Sequence, residues 1–183
     1  MSETKRGPVF ATDWTTWNVH KWQELLGHLV GESVRMVEVG CHEGRSSIWF
    51  LQNILTHAAA RLVCCDPKPC SNFESNLEAA GVRDRVEFVA SESRVALPQL
   101  ADKSLAAAYL DGSHEAADVL RDGLEVLPKM VPGGVIIFDD YEHEHLPQRH
   151  VLPCVGIDAF LKVAEPHFVA TVHKGWQLAV KVL

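Results

Sequence analysis

Apolar residues along the chain recur in two alternating rhythms. Trp22, Leu25, Leu26, Leu29 and Val30 keep helical spacing and predict an amphipathic helix over roughly 15–30. The run Val34-Arg-Met-Val-Glu-Val-Gly40 reads as a buried strand ending in glycine. Ile48, Leu51, Leu55 and Ala58 mark a second helix, and Arg61-Leu-Val-Cys-Cys-Asp66 a second strand stopped by Asp-Pro. Phe73, Leu77 and Ala80 predict a helix closed by Gly81, and Val86-Glu-Phe-Val-Ala-Ser91 a third strand. Leu105 to Asp111 gives a fourth strand, Ala117, Leu120, Leu124 and Leu127 a helix, and 131–140 a turn followed by a fifth strand. After a last helix through Ile157, Phe160, Leu161 and Ala164, two alternating runs flank Lys174-Gly175 as an antiparallel hairpin. Strand and helix in alternation predict an α/β fold, a parallel sheet with helices on both faces.

At 183 residues the chain is the size of one domain, with residues 1–13 expected as a flexible N-terminus and 14–183 as the folded unit. A composition of 47% apolar and 22% charged residues excludes disordered and fibrous classes. The formal charge of -7 argues against a nucleic-acid partner, which would favour a basic field. The first residues carry no apolar stretch of secretory type and no run approaches a membrane span, so the expectation is a cytoplasmic protein with no membrane partner. The five cysteines, with Cys64 and Cys65 inside an apolar run, read as reduced buried thiols, and zinc-type Cys pairs are absent.

Ligands of open α/β sheets bind beyond the carboxyl ends of the strands, so the residues that follow each apolar run matter most. Here they are Gly40, Asp66, Ser91, Asp111 and the pair Asp139-Asp140, with Glu38 just inside the first strand. The first loop, Gly40-Cys-His-Glu-Gly44-Arg-Ser46, has neither the glycine fingerprint of dinucleotide binders nor the Lys of a P-loop. Asp66 either accepts from ribose hydroxyls or caps the following helix, and the missing pyrophosphate glycines favour an adenosyl ligand without phosphates.

Val37-Glu-Val-Gly-Cys-His-Glu-Gly-Arg-Ser-Ser47, Leu62-Val-Cys-Cys-Asp-Pro67, Tyr109-Leu-Asp-Gly-Ser-His114 and Gly134-Val-Ile-Ile-Phe-Asp-Asp-Tyr141 resemble class I S-adenosylmethionine-dependent methyltransferases. The nearest group is methyltransferase family 24, which includes macrocin-type sugar O-methyltransferases. The resemblance implies a Rossmann-like, mostly parallel seven-stranded sheet with the hairpin as its last two strands. It implies that Glu38, Gly40, Gly44 and Ser46 surround the methionine moiety of S-adenosyl-L-methionine, Asp66 the ribose and Ser91 the adenine edge, with Asp111 bordering the cofactor. It further implies Asp111, Asp139 and Asp140 as ligands of Mg2+, or of Mn2+ or Ca2+, and His114 as a base. Two departures stand out: His42 in the first loop, and a chain short for macrocin-type enzymes.

The expected chemistry is methyl transfer to a hydroxyl of a small molecule: a sugar, a phenol or a natural product. A phenol of pKa about 10 costs roughly 4 kcal/mol to ionise at pH 7. A divalent cation offsets that cost, and hard oxygen ligands suit it. Adjacent Asp139 and Asp140 cannot both point inward from a strand, so one must lie on the turn beyond it. Asp111 and His114 are the candidate catalytic groups. His114 reads equally as a helix-entry residue bonded to solvent or to Asp111. Alternatives are metal-independent O- or N-methylation and a non-catalytic cofactor-binding module. An NAD(P)-linked oxidoreductase is disfavoured by the first loop. The polar stretch 141–150, with His143, His145 and His150, is expected to overhang the crevice as a substrate gate. Trp14 and Trp17 read as a wall of the pocket or as core or dimer contacts, and the Trp-rich residues 14–22 predict a homodimer.

Overall fold

The computed structural model of the protein describes residues 7–142 and 152–183. Its elements are α1 (Val19–Leu26), β1 (Arg35–Val39), α2 (Arg45–Asn53), β2 (Arg61–Cys65), α3 (Phe73–Ala79) and β3 (Val86–Val89). There follow α4 (Ser93–Ala96), β4 (Leu105–Leu110), α5 (Ala116–Val126), β5 (Met130–Phe138), α6 (Pro153–Ala164), β6 (Val169–Lys174) and β7 (Leu178–Val182). Seven strands form one sheet in the order β3-β2-β1-β4-β5-β7-β6. The first five run parallel, and β7 pairs antiparallel with both β5 and β6. This is the expected α/β class with its C-terminal hairpin.

The strands read as unbroken apolar runs because both faces of the sheet are covered. Alternation divides each strand between two cores. Met36, Leu62, Ala107 and Ile137 face a layer containing Trp22, Phe50 and Leu77. Val37, Val63, Ala108 and Ile136 face a layer containing Val126, Ile157 and Phe160.

Two helices differ from their sequence pattern. The first begins at Val19 rather than near 15, because Asp13 ties up the preceding turn. Its Oδ1 accepts the Thr15 and Thr16 N–H groups at 3.2 and 3.0 Å, and its Oδ2 accepts the Thr16 hydroxyl at 2.7 Å. The second begins directly after Gly44 and ends at Asn53, so Leu55 and Ala58 lie beyond it, although Leu55 is fully buried. Leu55 kept the hydrophobic spacing because it packs on the core beyond the helix, whereas Ala58 is exposed.

The chain reverses its direction of travel across the sheet between β1 and β4. Val39 is in register with Cys65 on one side and Leu110 on the other, and Leu110 with Phe138. Gly40 N–H donates to the Cys65 carbonyl at 2.9 Å, Asp111 N–H to that of Val39 at 2.9 Å, and Asp139 N–H to that of Leu110 at 3.0 Å. The residues after β1, β2, β4 and β5 therefore stand in one row at the switch point, where α/β folds bind ligands.

Candidate active site

Gly40 is the hinge of the row. Its φ is +83°, and a Cβ there would lie 2.0 Å from the Asp111 carbonyl oxygen, so only glycine lets the two strand ends approach. Gly40 lines three adjoining cavities of about 360, 40 and 830 Å³. Asp66 is shared by the first and third, and Asp111 by the second and third.

The cavity of about 360 Å³ is walled by Gly40, Asp66, Glu92, Ser93, Arg94 and Gly112, among others. Asp66 Oδ2 accepts the N–H groups of Cys41 and His42 at 3.2 Å each, and its Oδ1 accepts that of Lys68 at 2.8 Å. One carboxylate thus shapes the first loop and stands at the cavity wall. Ser91 is set back from this wall: its hydroxyl donates to the Glu92 carbonyl at 3.3 Å. The neighbouring Glu92, Ser93 and Arg94 take the wall instead, and the four-residue α4 that presents them is too short to leave a periodic signal.

Glu38, Gly44 and Ser46 have three different placements. Glu38 is fully buried, accepting from the Ser46 and Ser47 hydroxyls and, at 3.6 Å, from the Cys64 thiol. Desolvation pushes its carboxyl up to about 7. Gly44 starts α2 at φ +79°, and a Cβ there would meet the Phe73 ring at 3.0 Å. Both residues shape the loop from behind rather than standing on the cavity walls. Ser46 does line the cavity of about 40 Å³.

The largest cavity gathers Asp111, His114, Asp139 and Asp140 with Trp14, Trp17 and Trp176. Trp17 is 88% exposed at its mouth. A buried hydrogen-bond chain sets the carboxylates. Trp22 Nε1 donates to Gln177 Oε1 at 2.8 Å, and Gln177 Nε2 donates to Asp139 Oδ1 at 2.9 Å. An indole N–H can only donate, so it fixes which end of the Gln177 amide faces Asp139. The Tyr109 hydroxyl donates to Asp139 Oδ2 at 2.6 Å and lies 3.1 Å from Asp111 Oδ2. Tyr109 opens the motif that holds Asp111 and His114 but carried no role in the sequence reading, and Gln177 stands next to no recognisable motif. Burial, then the charges of Asp139 and Asp140, push the Asp111 carboxyl far above the usual range. Burial also raises Asp139.

Asp139 and Asp140 both lie beyond the end of β5, and Asp140 turns away through a left-handed φ of 58°. Its Oδ2 meets His114 Nδ1 at 2.6 Å, and this bond raises the His114 pKa. His114 is therefore tied to Asp140 rather than to Asp111. As a donor set for a cation, the three aspartates offer only hard oxygens, and their mutual repulsion is what a cation would relieve. Among the described residues, however, no three His, Cys, Asp or Glu side chains converge as a cation cage. Asp139 and Asp140 are turned toward Tyr109, Gln177 and His114. The expected gate of His143, His145 and His150 lies outside the described residues.

Comparison with known proteins agrees with this architecture. A mycobacterial catechol O-methyltransferase (Mycobacterium tuberculosis, strain ATCC 25618 / H37Rv) is 26% identical over 151 residues, covering 78% of this chain and 68% of the relative. The crystal structure of a putative rRNA-methylase from Clostridium thermocellum superposes with a TM-score of 0.75 at 13% identity, covering 96% of this chain and 100% of that one. An O-methyltransferase from Bacillus cereus in complex with S-adenosylhomocysteine gives 0.70 at 21% identity, covering 94% and 84%. Residues 37–141, from β1 through the aspartate pair after β5, match the family described as a methyltransferase domain. The chain belongs to that family, within the class I S-adenosylmethionine-dependent methyltransferases.

Proposed function

We propose that this chain methylates a hydroxyl group of a small molecule, with a divalent cation held by Asp111, Asp139 and Asp140. The observation that carries the reading is the shared wall of the three cavities. Gly40 and Asp66 stand between a compartment suited to an adenosyl group and a larger one lined by carboxylates and tryptophans, and Asp111 lines the larger one and the small cavity beside it. The relative named a catechol O-methyltransferase supports a phenolic acceptor, and the charge of -7 favours a small molecule over a nucleic acid.

S-adenosylmethionine supplies a methyl group already activated on a sulfonium, so the protein's task is to place and deprotonate the acceptor. Asp66 would receive the ribose hydroxyls, Glu92, Ser93 and Arg94 would border the adenine, and Ser46 the methionine end. Asp111 borders the transfer point, where the small cavity meets the largest one. Trp14, Trp17 and Trp176 give a flat acceptor apolar surfaces. Asp111, Asp139 and Asp140 are the residues that would hold a divalent cation, whose charge would lower the pKa of the acceptor hydroxyl. Asp140 accepts the Nδ1 proton of His114, which assigns proton acceptance to Nε2.

The His114–Asp140 pair at 2.6 Å also supports a second reading, in which that dyad removes the proton without a metal. Transfer of labelled methyl from S-adenosylmethionine to catechol, a monophenol, a sugar and an aromatic amine, with and without chelator, separates these readings. The first reading expects catechol to be methylated and chelator to abolish transfer. Undiminished transfer with chelator would rule out the cation and favour the dyad. Transfer to the amine alone would overturn O-methylation.

A further inference from the structure

The segment ahead of α1 crosses the β1–α2 loop as a strap fastened at each step. The N–H of Val9 donates to Asn76 Oδ1 at 2.8 Å, and its carbonyl accepts Asn76 Nδ2 at 3.0 Å. The N–H groups of Ala11 and Thr12 both donate to the Glu43 carboxylate, at 3.0 and 3.3 Å to Oε2. Asp13 pairs with Arg45 at 2.6 Å, whose guanidinium lies 5.0 Å from the Phe10 ring centroid. Glu43 is only 6% exposed, and Asn72 Nδ2 donates to its other oxygen at 2.9 Å. A nearly buried carboxylate is thus spent on holding backbone N–H groups of a segment more than thirty residues away in sequence.

What the strap covers gives this arrangement a purpose. The cavity of about 40 Å³ is walled by Thr12, Trp14 and Thr15 on the strap side and by Gly40, Ser46 and Asp111 on the sheet side. An amino-acid group seated between Ser46 and Thr12 would lie beneath the strap. Glu43 was read from the sequence only as a residue of the first loop. No motif connects it to residues 11 and 12.

We infer that Glu43 is a positioning residue for cofactor binding: it clamps the 9–13 strap over the β1–α2 loop, so that Thr12, Trp14 and Thr15 close the methionine end of the site. The inference rests on the S-adenosylmethionine reading above. Two variants of the full chain test it from opposite sides, Glu43→Ala on the clamp and Ala11→Pro, which deletes one of the clamped N–H groups on an exposed segment. Hydrogen exchange reports the strap without any ligand, and stopped-flow tryptophan fluorescence with S-adenosylhomocysteine reports entry and release. Both variants are expected to lose exchange protection at Thr12 and to release S-adenosylhomocysteine about tenfold faster. Glu43→Gln, which keeps one acceptor oxygen, should fall between them and wild type. Accelerated strap exchange with wild-type release would show that the strap is only structural and overturn the inference alone. Unchanged protection in Glu43→Ala would overturn it too. A wild-type chain that binds no S-adenosylhomocysteine would overturn the cofactor reading and this inference together.

Discussion

His114 Nδ1 lies 2.6 Å from Asp140 Oδ2, and this bond joins the candidate base to a candidate cation ligand. Asp140 raises the His114 pKa above the usual histidine value, chiefly through that hydrogen bond. A histidine raised in the folded state stabilises the fold below its unfolded pKa, and the gain is lost as pH rises through the folded value. Asp140→Asn should therefore lower the His114 titration midpoint, followed by NMR of the imidazole, and remove that part of the stability gained in mild acid. A midpoint unmoved by Asp140→Asn would show that the pair is not formed in solution.

Glu38 supplies a second pH dependence with its sign fixed by burial. Desolvation raises its carboxyl from 4.5 to about 7. The folded chain then holds the proton more tightly than the unfolded chain. The stabilisation is complete below about pH 4.5 and is lost as pH rises through 7, a change on the order of 3 kcal/mol. Glu38→Gln cannot ionise, so its denaturant midpoint should vary less between pH 5 and 8 than that of wild type. Parallel profiles for the two proteins would contradict this placement of Glu38.

The cation reading can be checked without turnover. Mn2+ binding followed by electron paramagnetic resonance should weaken about tenfold or more in Asp139→Asn and Asp140→Asn, each of which loses a charge but keeps an oxygen. Asp111→Asn should weaken it as well and also lower S-adenosylhomocysteine affinity, because that residue borders the transfer point. The Asp139 and Asp140 variants should retain S-adenosylhomocysteine affinity. Wild-type protein that binds no Mn2+ would leave proton removal to the His114–Asp140 pair.

The strands and the row of strand-end residues were legible because buried parallel strands are short apolar runs and the α/β crevice follows from their order. What the sequence could not show was which neighbour each polar side chain chooses. Glu38 and Gly40 are two residues apart, yet one is sealed beneath Ser46 and Ser47 while the other forms the cavity floor. Ser91 ends its run as expected, but the turn into α4 presents Glu92, Ser93 and Arg94 to the cavity. Gln177 and Glu43 reach partners distant in sequence, Trp22 and Asp139 for one, Ala11 and Thr12 for the other. Such bonds exist only once the chain is folded, so no local pattern announces them. The start of α1 was missed for the opposite reason: Asp13 bonds to its near neighbours and overrides helical spacing.

Calorimetric titration of S-adenosylhomocysteine into wild type and Asp66→Ala tests directly whether the crevice at the β1–β4 switch point binds the methyl donor. Asp66 stands on the cavity wall and also orders the Cys41 and His42 amides. Hydrogen bonds to a charged group are worth about 1.5–3 kcal/mol each, so its loss should cost at least about tenfold in affinity. The expected result is one site per chain in wild type and binding at least about tenfold weaker in Asp66→Ala. No binding by wild type, or equal affinity in the two proteins, would contradict the account.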